Sequence, residues 1–112
     1  MKIKSTVKTL EIENLKGKKT VYAFETGDPD VLENWQKQTQ DISDNYSKLE
    51  GNDLKKIYEM ERDFISLVLG QKAWKQIRKE CNGSLYSLLF VLAELSRIIT
   101  ESIEENAKAF KK

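Results

Sequence analysis

The sequence contains no histidine and one cysteine, Cys81, among its 112 residues. Histidine is the side chain that most often transfers protons in enzymes, so its absence excludes Ser-His and Cys-His nucleophile pairs. A zinc site would have to be built without imidazole and with a single thiolate. One cysteine forms no disulfide within the chain, and a reducing compartment is the simplest interpretation. These absences predict a protein that is not an enzyme and needs no cofactor or metal.

Long apolar runs and an excess of charge of one sign are also missing. No segment approaches the roughly 18 uncharged apolar residues that span a bilayer. Residues 1–10 carry lysines without the run of about 7 to 15 apolar residues that a secretory signal requires. Lys plus Arg number 19 against 18 Asp plus Glu, so no net field attracts nucleic acid or an anionic membrane. We expect a soluble, cytoplasmic protein with no membrane partner, for which binding to nucleic acid is disfavoured and would need a local basic patch.

The composition is that of one folded domain with an ionic surface. Apolar residues make up 39% of the chain and charged residues 33%. A chain of 112 residues is large enough for one core but too small for two independent cores. We therefore predict a single domain over residues 1–112, with a β-hairpin in 1–26 and a helical part in 28–110.

Two segments near the N-terminus alternate polar and apolar residues with period two. Residues 7–13 and 20–25 are rich in β-branched and aromatic side chains and flank a turn at residues 14–18, which predicts a β-hairpin. Leu10 and Ile12 should share one face of this hairpin with Tyr22 and Phe24. Because an isolated hairpin is marginally stable, we expect this face to lie on a helix.

The first two predicted helices have recognisable ends. Asp28 suits the N-cap of the first helix and Pro29 its first position, and Gly51 is a plausible stop. Apolar or semi-apolar residues along it form a narrow seam of Trp35, Thr39, Ile42, Tyr46 and Leu49. Asn52 or Asp53 can cap a second helix, which continues to Gly70.

Two further helices complete the predicted fold. Residues 71–80 favour a short helix, and Asn82 and Gly83 interrupt the pattern before Ser84 caps a longer one that runs to about Phe110. Its main apolar stripe consists of Leu85, Leu88, Leu89, Leu92, Leu95, Ile99 and Ile103. The predicted fold class is α+β, mainly α: an N-terminal β-hairpin followed by a four-helix bundle-like array with a long C-terminal helix.

A basic segment at residues 72–79 surrounds Trp74, the combination that contacts phosphates and stacks on bases. It suggests a small nucleic-acid-binding regulator that uses Lys72, Lys75, Arg78 and Lys79. The structural alternative buries Trp74 with Ile77 and leaves the lysines in solvent, and it is the favoured interpretation. Trp35 is likewise expected in the core.

Carboxylate-only chemistry is the enzyme-class alternative. Glu59 with Asp63, and Glu101 with Glu105, are pairs four residues apart on helix faces, as a carboxylate-dependent hydrolase could use. No motif organises them, so solvated surface charges are the favoured interpretation. The glycines are too widely spaced for a phosphate-binding loop.

Tyr86 and Phe90 do not fit the main stripe of the last helix. They lie four residues apart on the side that later carries Arg97, Glu101 and Lys108. Either another element, such as the hairpin face, covers these two rings, or a second protein chain does. Helices that are apolar on all sides are usually central, which favours the internal cover.

The order of these elements resembles the tail assembly chaperones of long-tailed bacteriophages, particularly those of phages that infect Gram-positive hosts. The resemblance rests on the opening hairpin that ends at residues 21–25, the helix with an acidic start that follows, residues 64–74 with their central glycine, and the Lys-rich final segment 85–112. The resemblance covers most of the chain and lies in the order of the elements more than in any sequence motif.

The resemblance implies a non-catalytic protein that coats the hydrophobic tape-measure protein before the tail tube polymerises around it. It implies self-association into a spiral or ring, with the tail tube protein as a further partner and the host cytoplasm as the location. In that family a longer form often arises by ribosomal frameshifting, for which an A-rich stretch encoding residues 107–112 would be suitable. The resemblance places the partner-binding surface at Trp74, Tyr86, Phe90 and the exposed side of the last helix.

Overall fold

The computed structural model of the protein describes residues 1–46 and 54–110. In these residues a hairpin of β1 (Val7–Glu13) and β2 (Lys19–Glu25) precedes the helices. The helices are α1 (Pro29–Tyr46), α2 (Leu54–Leu69), α3 (Gln71–Glu80) and α4 (Leu85–Phe110). The predicted fold class is confirmed, including the long last helix.

The hairpin has the predicted inner face. The strands pair antiparallel, with Leu10 opposite Tyr22, and Leu10 and Phe24 are buried while Ile12 and Tyr22 are half-buried. The turn is closed by the side chain of Asn14, whose Oδ1 accepts from two backbone amides of the turn at 2.9 Å. The buried side chains all lie on one face of the hairpin. This face packs against α2 and α4, which supply the support that a lone hairpin lacks.

Two helix starts follow the predicted capping chemistry. The Asp28 carboxylate accepts from the amide of Asp30 at 2.9 Å, and Pro29 is the first residue of α1. The Ser84 hydroxyl accepts from the amide of Ser87 at 3.3 Å at the start of α4. The predicted residues Leu49, Gly51, Asn52 and Asp53 lie outside the described part of the chain, as does the side chain of Tyr46.

Helix α2 occupies the centre of the fold. It packs against α1, α3, α4 and β2, and its Phe64 and Ile65 are fully buried. The other side chains of the core cluster are Leu10, Phe24, Trp35, Trp74, Ile77, Leu88, Val91, Leu92, Leu95 and Ile99. The principal extents are 52, 34 and 19 Å, so the shortest dimension accommodates about two layers of helices. One side of α4 therefore faces α2 and the hairpin, and the other faces outward.

Candidate partner-binding site

Tyr86 and Phe90, called here the aromatic pair, project from the outer side of α4. Their side chains are 68% and 77% exposed, whereas Leu88 and Leu92 on the opposite side are buried. The turn before the helix sets this orientation: Asn82 and Gly83 adopt positive φ angles, and Ser84 then caps the first turn of α4. Two large rings on adjacent helical turns thus form an apolar surface open to solvent.

The internal cover that the sequence favoured for the aromatic pair is wrong. The hairpin does pack on α4, but it covers the side that carries the buried residues, and it leaves both rings exposed. The element surrounded by others is α2, where Phe64 and Ile65 are inaccessible. The near-complete apolar circumference of the first half of α4 therefore reflects one core-facing side and one uncovered side.

A cleft of about 260 Å³ lies beside the aromatic pair, between the hairpin turn, the α3–α4 turn and the outer side of α4. Its apolar walls come from Ile12, Leu15, Phe90 and Val91. Leu15, at the tip of the hairpin turn, is 90% exposed. Phe90 therefore belongs both to the aromatic pair and to the cleft, which makes one continuous apolar surface.

The charged residues that line the cleft are acidic. Among the residues that the structure describes, the charged ones lining it are Glu13 and Glu80, beside the neutral polar residues Asn14, Asn82 and Ser87. The Glu80 carboxylate accepts a short hydrogen bond from the hydroxyl of Tyr22, and burial together with this contact holds the pKa of Tyr22 well above its usual range. The second carboxylate oxygen, Oε2, is buried without a hydrogen-bond partner among the described residues.

Cys81 also lines the cleft, and the pKa of its thiol is raised. Its thiol is free and half-buried. Burial raises the pKa of the thiol, and the neighbouring Glu80 and Glu61 carboxyls raise it further. At neutral pH the thiol therefore stays protonated and is a poor nucleophile.

Trp74 has a different place from the other two predicted site residues. It is 7% exposed and packs edge-on against Tyr58, with ring centroids 5.7 Å apart and an interplanar angle of 65°. The structure thus confirms the core interpretation of Trp74, and Trp35 is buried as well. The exposed apolar surface is formed by Tyr86 and Phe90 and by the cleft, and Trp74 is absent from the residues that line the cleft.

The four cations of the basic segment, called here the basic face, point into solvent from α3. The Arg78 guanidinium lies 5.7 Å from the ring centroid of Tyr58, while Lys72, Lys75 and Lys79 are exposed. Within residues 1–46 and 54–110, none of the four forms a salt bridge. The face lines an open depression that borders the α3–α4 turn at Asn82.

Beyond the aromatic pair the outer side of α4 becomes ionic. Arg97 contacts Glu94 at 2.5 Å and Glu101 at 2.7 Å. These contacts raise the pKa of Arg97 and lower that of Glu94. This charged stretch separates the aromatic pair at the N-terminal turns of α4 from the exposed Phe110 at its C-terminal end.

Three of the four carboxylates in the predicted pairs contact cations. Asp63 pairs with Arg62 at 3.2 Å, Glu101 pairs with Arg97, and Glu105 pairs with Lys8 at 3.3 Å. In the part of the chain that the structure describes, no three Cys, Asp or Glu side chains gather closely enough to hold a metal ion.

One buried carboxyl group was not anticipated from the sequence. Glu61 of α2 is 1% exposed, and neither of its oxygens has a hydrogen-bond partner among the described residues. Burial raises its pKa to about 8. The sequence spacing indicates this burial, because position 61 falls four residues after Ile57 and three before Phe64, within the apolar stripe of the second helix.

Comparison of the chain with protein-family models, with curated proteins and with solved structures finds no match. In a separate finding, no helix of the described residues is both long and apolar enough to cross a membrane.

Proposed function

We propose that the protein is a non-enzymatic assembly chaperone of a phage tail, which binds the tape-measure protein in the host cytoplasm and self-associates during tail formation. The observation that carries this proposal is the aromatic pair, because two large rings 68% and 77% exposed on adjacent helical turns are the usual anchors of a protein interface. The layout resemblance to tail assembly chaperones supplies the identity of the partner, and the tail tube protein is a further partner in this proposal.

The shape of the uncovered surface favours a helical partner. Tyr86 and Phe90 supply anchors four residues apart, and the adjoining cleft adds Leu15 and Val91 as a shallow groove wall. An amphipathic helix places its apolar side chains at the same spacing, so it can lie along such a surface. A tape-measure protein rich in apolar helical segments would present many such stretches in succession.

The experiment is a titration of the purified protein with overlapping synthetic segments of a tape-measure protein encoded next to it. We expect binding of helical segments, and we expect the double substitution Tyr86→Ser and Phe90→Ser to weaken it about tenfold or more. Phe110→Ser is the matched control, since Phe110 is an exposed aromatic at the far end of the same helix. Wild-type affinity in the double variant would contradict the proposal.

Self-association is tested separately by sedimentation. The protein should form oligomers at tens of micromolar or on addition of the tape-measure segments. A protein that stays monomeric under both conditions and binds no segment would contradict the chaperone proposal as a whole.

A second candidate function rests on the basic face. Its four cations are without salt-bridge partners in the described residues, and Lys72, Lys75 and Lys79 extend freely into solvent, as phosphate-binding side chains do. A small nucleic-acid-binding regulator would then bind a generic duplex with strong salt dependence. Binding that is undetectable at about 50 mM salt, where such contacts are strong, would eliminate this candidate.

A further inference from the structure

Helices α1 and α3 carry opposite net charges of the same size. Helix α1 contains four carboxylates and one lysine, which gives a net charge of −3. Helix α3 contains four cations and one carboxylate, which gives a net charge of +3. Both helices pack on α2, and the whole chain has a net charge of only +1. Negative and positive charge are therefore separated onto two different helices of one nearly neutral protein.

The charged residues of α1 form a single exposed stripe, called here the acidic stripe. It consists of Asp30, Glu33, Lys37, Asp41 and Asp44, all of which are exposed. Their spacing of three or four residues places them on one side of the helix, over a length of about 21 Å. Lys37 pairs with Glu33 at 3.6 Å, whereas Asp30 and Asp44 form no salt bridge among the described residues. The stripe therefore presents uncompensated negative charge to solvent.

The basic face offers the opposite charge on a concave surface. It lines an open depression of about 830 Å³, and a depression of this kind can receive the convex side of a helix. Lys72, Lys75 and Lys79 follow one another at spacings of three and four residues and are exposed. Among the described residues, no salt bridge connects these lysines with α1. The two surfaces are thus complementary in charge and do not pair within one protomer.

We infer that the basic face of one copy of the protein binds the acidic stripe of a second copy. The inference rests on the proposed function, because it assigns the surfaces through which the proposed self-association occurs. Two different surfaces meet in this contact, so each pair of copies keeps one free surface of each kind. Further copies can then add until a ring closes or an open filament forms. The aromatic pair belongs to neither surface and stays available for the partner segment.

The size of the two surfaces predicts a weak contact. Helix α3 has 10 residues and is about 15 Å long, so the contact should bury less than the roughly 1,200 Å² below which interfaces are transient. Exposed ion pairs each contribute little, and salt screens them over a Debye length of about 10 Å at 0.1 M. The association should therefore depend on protein concentration and be lost at high salt.

The first test is sedimentation of the full chain at two salt concentrations. At about 25 mM NaCl the mean sedimentation coefficient should rise with protein concentration up to about 100 μM, and at about 500 mM NaCl it should stay at the monomer value. Association of equal strength at both salt concentrations would overturn the inference, because apolar contacts such as those of the aromatic pair are not screened. A monomer at low salt would also overturn it.

Two charge-reversed variants test the surfaces separately. Lys75→Glu with Lys79→Glu changes the basic face, and Asp30→Lys with Asp44→Lys changes the acidic stripe. Each variant should associate with itself at least about tenfold more weakly than the wild type, because like charges then face each other. All four positions are exposed, and circular dichroism checks that both variants keep the fold. Wild-type association of either folded variant would contradict the assignment of its surface.

The controls apply the same change of net charge elsewhere. Lys16→Glu with Lys18→Glu lies in the hairpin turn, and Glu59→Lys with Glu104→Lys lies on the exposed sides of α2 and α4. Both control variants should associate as the wild type does. Losses equal to those of the surface variants would assign the effect to net charge and overturn the inference.

Mixing the two surface variants gives the most specific result. The variant with the altered basic face keeps an intact acidic stripe, and the other variant keeps an intact basic face. Their mixture should therefore form one-to-one dimers, although each variant alone is monomeric, and larger species should be few because the two altered surfaces attract each other weakly. A mixture that stays monomeric would overturn the inference even if one variant alone had been poorly folded.

The outcomes also separate this inference from the two candidate functions. If tape-measure segments bind through the aromatic pair while association ignores salt and charge reversal, the inference fails and the proposed partner binding stands. If the association follows charge but no segment binds, the chaperone proposal fails and the inference stands. If Lys75→Glu with Lys79→Glu abolishes binding of a DNA duplex and leaves the association unchanged, the basic face serves nucleic acid and the inference fails.

Discussion

The hydroxyl groups of Thr26 and Ser102 lie 2.6 Å apart and join the end of the hairpin to the C-terminal half of α4. Both residues are buried, and the Thr26 hydroxyl also donates to the carbonyl of Thr6 at 2.5 Å. Since that hydroxyl has one hydrogen, Ser102 must be the donor in the contact between the two side chains. The contact connects the end of the hairpin to the side of α4 that carries the buried residues.

Removal of the Ser102 hydroxyl should weaken this junction. Ser102→Ala is expected to lower the free energy of unfolding by about 1 kcal/mol, because Thr26 loses a buried hydrogen bond. Urea unfolding followed by circular dichroism measures the change. Thr100→Ala, at an exposed position on the same helix, should alter the stability by less than about 0.5 kcal/mol. Equal stability of the wild type and Ser102→Ala would show that the contact contributes nothing.

The pH dependence of stability should reveal the buried carboxyl of Glu61. Its pKa is about 8 in the folded protein, whereas the ordinary value, which applies to the unfolded chain, is 4.5. Between pH 4.5 and about 8 the folded state therefore keeps a proton on Glu61 that the unfolded state has released. Stability should therefore fall as the pH rises from about 4.5 to about 8, by an amount on the order of 3 kcal/mol at pH 7.

The variant Glu61→Gln isolates this effect, since glutamine keeps the shape but cannot ionise. The urea concentration at the midpoint of unfolding should fall much less in this variant than in the wild type as the pH rises through that range. Glu59→Gln, two positions away on the exposed side of α2, should keep the wild-type profile. An unchanged decline in Glu61→Gln would assign the pH dependence to other groups.

The apolar stripe of α4 should lose importance towards its C-terminal end. Leu95 is fully buried, whereas Ile103 is 36% exposed. Leu95→Ala should cost about 2 to 5 kcal/mol of stability, because it removes transfer free energy and leaves a cavity. Ile103→Ala should cost less than about 1 kcal/mol. Thermal and urea unfolding measure both, and similar losses in the two variants would contradict this description of the core.

Local sequence signals predicted most of the fold. The hairpin face around Leu10 and Phe24 follows from period-two alternation, and the starts of α1 and α4 follow from the caps Asp28 and Ser84. These signals involve residues close in sequence, whose geometry depends little on the remainder of the chain. The same holds for the interruption at Asn82 and Gly83, where positive φ angles separate α3 from α4.

The candidate site depends on contacts that sequence patterns do not encode. Tyr22 and Glu80 meet although 58 positions separate them, and Glu80 lines the cleft. The side of α4 that the hairpin covers is likewise a tertiary property. The period of the stripe identifies Tyr86 and Phe90 as unusual, but it cannot decide what lies over them.

Photo-crosslinking from the aromatic pair tests the central claim most directly. Benzoylphenylalanine is placed at position 90 or, as the control, at position 110, the site of the other exposed Phe of α4. With the tape-measure protein present, irradiation of the position 90 variant should yield a crosslinked product with one of its helical segments, and the position 110 variant should yield little. Stable binding with no crosslink from position 90, or with equal crosslinking from both positions, would contradict the assignment of Tyr86 and Phe90 to the partner interface.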